Sequence, residues 1–408
     1  MKYKSNSKYN ICFLTSTYLP SIGGAQIGLH TIATGLSNRG NKVCIVIPFL
    51  TFLKFKFKGW KTNYSILPFP PKIFRLYYNY PKLFIPIIKI YLKLINIIYK
   101  IDFWIANLAY PSGVILSKIS KDKVFENNAV LCPGDDIQIQ SNISYGIRLD
   151  KKIDFEIKTY LKNLKNFISL TESVKKEYLK IGIKENKIIE IPYGVNESNL
   201  ILNYNKKLLR NKFKISQDTH IFLCVGRNHP KKNFKLFIKI VENLNLRKNY
   251  NYKILIVGKD LEKINENAIE KKIENNFIFL NEISNSQENQ LSFPSTKLSE
   301  IYNLSDCFIF PSDLETFGIV LVEAMIAKLP IITTNAPGCR DVVKSNRDGM
   351  VFERGDFVKA ADFMEKIITN LNTKDEFSFK SFKRSKFFYI DNIANKYEDL
   401  ILSSIKQL

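Results

Sequence analysis

The sequence predicts an α/β protein made of two doubly wound halves, each with a parallel sheet. Two observations carry this. Short apolar runs of strand length alternate with amphipathic helical segments along the whole chain, and the runs fall into two series separated by a polar stretch at 196–217. Size agrees, since 408 residues is enough for two or three domains with cores of their own.

The first series of strand-like runs is 11–14, 43–47, 103–106, 129–132, 166–170 and 188–191; the second is 221–225, 253–257, 277–280, 307–310 and 330–333. After the first run a helix is expected with Leu29, Ile32, Ala33 and Leu36 on one face, ending at Arg39-Gly40. After run 221–225, Phe234, Phe237, Ile240, Val241 and Leu244 recur at helical spacing, with Asn233 as the N-cap. The polar stretch begins just past Pro192-Tyr193-Gly194 and reads as the hinge. Both halves are Rossmann-like and are expected to face each other across a cleft. Ligands of such sheets bind beyond the carboxyl ends of strands, so the residues after each run are where chemistry belongs.

Composition narrows the function. A hydrophobic share of 45% with 24% charged residues excludes a largely disordered chain. The six cysteines stand singly at 12, 44, 132, 224, 307 and 339, without CxxC spacing, and only three histidines exist. Cysteine-zinc and histidine-rich metal sites are therefore not expected, and a reducing interior fits. Net charge is +23, of which +15 falls in residues 1–101, where no Asp or Glu occurs. That imbalance points to an anionic partner for the amino-terminal part.

No uncharged run approaches the ~18 residues of a membrane-crossing helix, and 11–14 is too short for a signal peptide. Segment 83–100 is expected to be a helix with Pro86 in its first turn. Lys89, Lys93, Asn96 and Lys100 form one narrow polar stripe on it, and the rest is apolar almost all round. Upstream, Lys54, Lys56 and Lys58 alternate with phenylalanines in a loop that ends at Trp60. Together these lysines and Trp60 read as a surface lying on an anionic membrane; a buried core helix with a solvated lysine edge is the other reading.

Three segments follow strand ends with residues suited to phosphate and sugar. Gly23-Gly24 precedes the first helix, where paired glycines admit a backbone close to a ligand. His30, one turn inside that helix, reads as structural. Gly226-Arg227, with Lys232 five residues on, brackets a helix start and forms a metal-free clamp for a diphosphate. The segment 311–325 holds Glu315 in a loop and Glu323 in a helix otherwise made of apolar residues. A carboxylate there needs a partner, and ribose hydroxyls supply one. Phe317, Gly318 and Ile319 offer backbone amides to a phosphate.

The whole set resembles the GT-B fold retaining glycosyltransferases of glycosyltransferase family 4, the glycosyl transferases group 1. The resemblance rests on Gly23-Gly24, Leu36-Ser37-Asn38-Arg39-Gly40, Ile191-Pro192-Tyr193-Gly194-Val195-Asn196, Gly226-Arg227 with Lys232, the Glu315-x7-Glu323 segment and the tail Ile393-Ala394-Asn395-Lys396-Tyr397. It implies an acceptor-binding domain at 1–192 and a nucleotide-sugar domain at 193–384. The helix at 385–408 would cross back onto the first domain. It further implies that Arg227 and Lys232 hold the donor diphosphate, Glu323 the ribose, and Glu315 the transferred sugar, with Asp136 retained on the acceptor side. No cofactor or metal is implied, and Asp135-Asp136 is adjacent rather than a spaced DxD. Two departures stand out: Pro133 occupies the place of a usual His, and Lys328 that of a usual Gly before Leu329-Pro330.

The expected activity is transfer of a sugar from a nucleoside diphosphate sugar to an acceptor hydroxyl with retention. The setting would be surface polysaccharide or lipid-linked glycan assembly at the cytoplasmic membrane face. Three alternatives stay open: a non-catalytic subunit or scaffold of the same fold, a nucleotide-sugar epimerase, and a basic nucleic-acid-binding protein. The last would leave the Glu315 and Glu323 segment unexplained.

Overall fold

A computed structural model describes residues 9–202, 204–281 and 291–406. The first sheet contains β1 (Asn10–Thr15), β2 (Lys42–Pro48), β3 (Ser65–Phe69), β4 (Phe103–Asn107), β5 (Asn128–Leu131), β6 (Asn166–Ser169) and β7 (Ile188–Glu190), in the order β3-β2-β1-β4-β5-β6-β7. The second contains β8 (His220–Val225), β9 (Tyr252–Gly258), β10 (Phe277–Asn281), β11 (Cys307–Phe310), β12 (Ile331–Thr334) and β13 (Met350–Phe352), in the order β10-β9-β8-β11-β12-β13. Every pairing is parallel. Each sheet thus reverses direction once beside its first strand, the Rossmann order.

The chain divides into two compact units. One is built from the chain up to Gly194, Leu291 and the chain from Ile390; the other takes the rest of the chain between Val195 and Tyr389. Where the chain enters and leaves the second unit, its two segments lie side by side: Val195 N–H donates to the Phe388 carbonyl at 2.9 Å.

β3 and β13 are additions to the expected strands. β3, with sequence SILPF, carries Pro68, which an edge strand tolerates because its outer N–H needs no partner. β13 has only three residues and also lies at an edge. The stretch 196–217 is not a bare hinge. It contains the helix Lys206–Lys212, capped by Asn205, whose buried Arg210 donates to the Leu304 carbonyl and pairs with Asp306. Asn233 is not an N-cap either: it has φ +49°, and the helix begins later, as Leu236–Arg247.

In the first unit the chain steps outward from β1 through β2 to β3, then returns to β4. Right-handed crossovers therefore put the helices Gly24–Asn38 and Phe49–Phe57 on one face of the sheet and Pro81–Tyr99 on the other. Cys12, Leu14, Cys44, Val46, Trp104 and Ala106 form one apolar cluster with Ile88, Leu92 and Ile95 of the last helix. The helix Pro81–Tyr99 begins at Pro81, so Pro86 lies inside it, not in its first turn.

The last helix, Ile390–Lys406, belongs to the first unit. It packs on Gly24–Asn38, where a Cβ on Gly35 would lie 2.7 Å from Ile390 Cγ1. Arg39 clasps it with ion pairs to Asp391 at 2.8 Å and Glu398 at 2.9 Å.

Candidate active site

The order of the second sheet reverses between β8 and β11, which pair at Cys307–Phe222 and Phe308–Leu223. The segments leaving these two strands are 226–233 and 311–318, so the sequence-predicted residues sit where an open α/β sheet binds its ligand.

Backbone hydrogen bonds lace the two segments together. Asp313 and Leu314 N–H groups donate to the Lys231 carbonyl at 2.8 and 3.3 Å, and Ser312 Oγ lies 2.9 Å from the same oxygen. A third segment, leaving β12, locks the loop from behind: Glu315 N–H donates to the Pro337 carbonyl at 2.9 Å. Next to it Gly338 has φ +80°, and a Cβ there would lie 2.4 Å from the Glu315 carbonyl oxygen. Only glycine fits on both counts.

Within this frame Lys232 Nζ pairs with Glu315 Oε1, and Ser312 Oγ lies 3.0 Å from the same carboxylate oxygen. The ammonium also stands 4.6 Å from the centre of the Phe310 ring. Burial pushes the Glu315 carboxyl up, but Lys232, seconded by Lys231, outweighs it and holds the group below its ordinary value. Removing one partner of such a pair strands a buried charge, at a cost of roughly 3–5 kcal/mol.

Arg227 stands apart. It is exposed and makes no ion pair among the described residues, which leaves its guanidinium available to an anion. The preceding Gly226 N–H donates to the Val257 carbonyl at 2.9 Å, which fixes the turn against β9.

Gly318 has φ +84° and opens the helix Ile319–Ile326. The first N–H groups of a helix have no partner inside it, and the helix dipole adds positive character there. Phe317 contributes only backbone: its ring is buried, 5.6 Å from that of Phe388. Further along this apolar helix Glu323 is 4% exposed and accepts a 2.7 Å hydrogen bond from the Tyr302 hydroxyl. Burial pushes its carboxyl up to about 7 despite that bond. Ser312, Tyr302 and Gly338 were not legible as site residues. Ser312 and Gly338 carried a signal in that both follow a strand end; Tyr302, on the helix Thr296–Leu304, carried none.

The other expected residues lie in the first unit. Gly23 is the extended residue before Gly24–Asn38; Gln26 occupies the place its Cβ would take, while nothing stands within 4 Å of a Cβ on Gly24. His30 is buried, with Nδ1 2.6 Å from the Tyr64 hydroxyl, which in turn lies 2.5 Å from that of Tyr18. Burial lowers its imidazole to about 4, so it is neutral.

Asp136 is not an outward-facing catalytic carboxylate. It is 1% exposed, and its two oxygens accept N–H groups from Gly134 at 2.8 Å and Ala109 at 2.7 Å. It ties together the loops that leave β5 and β4, and burial raises its carboxyl to about 6.

The expected membrane-surface residues are not one surface. Lys54 and Lys56 lie in the helix Phe49–Phe57 rather than a loop, and Lys58 caps it. Trp60 is half-buried, its ring 5.7 Å from that of buried Phe55. This helix is on the opposite face of the sheet from Pro81–Tyr99. On the latter, Lys89 and Lys93 are held by Asp122 at 3.0 and 2.7 Å, and Lys100 is exposed just past the helix end.

Residues 205–384 match the family model described as glycosyl transferases group 1. Among curated proteins the chain is similar to the capsular polysaccharide biosynthesis glycosyltransferase CapM of Staphylococcus aureus. The two are 29% identical over 58% of this chain and 59% of that one. The chain thus spans little more than half of that relative, and 45% and 58% of two further glycosyltransferases that it matches.

Among solved structures it is similar to a glycosyltransferase from Rickettsia africae, with a TM-score of 0.73 and 19% identity over 98% of this chain and 100% of that one. It is also similar to Anabaena HepE in complex with UDP and glucose, with a TM-score of 0.69 and 16% identity over 96% of this chain and 99% of that one. At these identities the likeness speaks for the fold. Two Rossmann-like units, the second carrying the matched segment, place the chain in the GT-B fold, and residues 205–384 are a domain of the glycosyl transferases group 1 family.

Proposed function

We propose that this protein transfers a sugar from a nucleoside diphosphate sugar to an acceptor hydroxyl, with retention of anomeric configuration, in the assembly of a surface polysaccharide or lipid-linked glycan. One observation carries the reading: the exposed guanidinium of Arg227 and the Lys232–Glu315 pair stand on two laced segments that leave adjacent strands at the reversal point of the second sheet. The name of CapM speaks of capsular polysaccharide, and the HepE structure holds UDP and glucose.

In this reaction the bond from the anomeric carbon to the donor phosphate oxygen breaks, and negative charge grows on the diphosphate. Arg227, Lys232 and the amides opening Ile319–Ile326 are the groups that stabilise it. Glu323 accepts the ribose hydroxyls and Glu315 those of the sugar. The acceptor oxygen forms the new bond on the same face, and its proton passes to the departing phosphate. Asp136 acts as a positioning residue for the acceptor-side loops.

Arg227→Ala tests the clamp. Against a panel of nucleotide sugars, the turnover found with the unaltered protein should fall by about 10²–10³. Turnover that stays near normal refutes the clamp.

A further inference from the structure

The helix Pro81–Tyr99 has two apolar faces and only one of them is covered. Ile88, Leu92 and Ile95 point into the core of the first unit. On the other side Leu83, Ile87, Ile90, Leu94, Ile97 and Ile98 are 46–72% exposed. At about 100° per residue these six share a sector roughly 100° wide, turned well away from the buried one. A contiguous apolar stripe of that length on a surface marks a docking face.

Charge identifies what covers it. Lys82 and Lys100 are exposed along one margin of the stripe, and Lys72 and Arg75 are exposed just before the helix. No acidic residue occurs anywhere in residues 1–101. A second copy of this chain would set one cationic margin against another, which disfavours self-pairing. The helix cannot cross a bilayer, because its inner face is packed on the sheet and no helix among the described residues is long and apolar enough. What fits a cationic margin with an apolar stripe is the headgroup and upper acyl region of an anionic bilayer.

We propose that the outer face of Pro81–Tyr99 seats the protein on an anionic membrane surface. The helix lies in the plane of the headgroups, with Leu83, Ile90, Leu94 and Ile97 in the acyl boundary and Lys82 and Lys100 at phosphates. The lysines that matter are therefore not Lys89 and Lys93, which Asp122 already engages. Nothing in this placement depends on the donor chemistry proposed above, so the two readings fail separately.

The test is co-sedimentation of the full chain with vesicles of phosphatidylglycerol and phosphatidylcholine, against phosphatidylcholine alone, at low and high salt. Unaltered protein should pellet with anionic vesicles, and less so at high salt. Ile90→Gln/Ile97→Gln should reduce binding at least tenfold and Lys82→Gln/Lys100→Gln about tenfold. Because all four side chains are exposed, both variants should keep the melting temperature. Failure to pellet with anionic vesicles overturns the proposal, as does binding that ignores Ile90→Gln/Ile97→Gln. A concentration-dependent dimer that this variant abolishes, without vesicle binding, also overturns it and assigns the face to a second copy.

Discussion

Glu323 sits in a helix of isoleucine, valine, leucine, alanine and methionine with one tyrosine hydroxyl for company, and burial raises its carboxyl to about 7. An acid with a raised folded value favours folding while protonated. That contribution is complete below the unfolded value near 4.3 and is lost as pH rises through about 7. Glu323→Gln should therefore gain stability relative to the unaltered protein as pH rises from 5 to 8, on the order of 3 kcal/mol at most, read as a higher melting temperature. Ribose hydroxyls favour the charged carboxylate, so nucleotide-sugar affinity should weaken as pH drops below about 7. This step should vanish in the variant; a step that persists in Glu323→Gln places the titration elsewhere. Glu323 was legible because a charge in an apolar run is costly. Tyr302 was not, since a tyrosine on a helix face has many uses, and its pairing with Glu323 spans 21 residues. Asp136 misled for the opposite reason: a motif shows that a carboxylate is present but not which way it points.

The helix Ile319–Ile326 carries a further local lesson. A lysine stands where the resemblance leads one to expect glycine, yet the helix closes regularly: Lys328 N–H donates to the Met325 carbonyl and Leu329 N–H to that of Ala324, each at 3.0 Å. This is a Schellman closure with lysine in the left-handed conformation, at φ +60°. The lysine gains some return from its ammonium, 5.2 Å from the Phe382 ring centre. Lys328→Gly should relieve the backbone and stabilise the second unit by about 0.5–1 kcal/mol, a rise of roughly 1–4 °C in its melting temperature. A fall would show that the side-chain contact outweighs the strain. Central strands were readable as apolar runs because both their faces are buried. β3 and β13 were not, because an edge strand needs neither continuous apolar character nor length, and β3 even contains a proline.

Across the whole molecule, the absence of acids from residues 1–101 was visible as a number, but the sequence could not say which lysines are free. Asp122 lies outside that stretch and takes two of them. The closing of the first unit by its last helix was readable only through family resemblance, because contacts such as Arg39 with Glu398 join residues 359 apart. Gly35→Leu tests that closure. It would drive a side chain into Ile390 and should cost about 1–3 kcal/mol. Earlier proteolytic release of the tail should accompany the loss, while the second unit still shows a thermal shift with nucleotide sugar. An unchanged tail would mean that the two helices can part without cost.

The second unit is thus inserted in the first, entering at Val195 and leaving at Tyr389 through paired segments. During synthesis on the ribosome, every strand of the leading sheet emerges before any part of the helix that completes it. The inserted unit has all its strands by Phe352 and can mature first. Until Ile390–Lys406 is made, the apolar side of Gly24–Asn38 stays uncovered, and the nascent chain carries a sticky surface that a holdase chaperone would recognise.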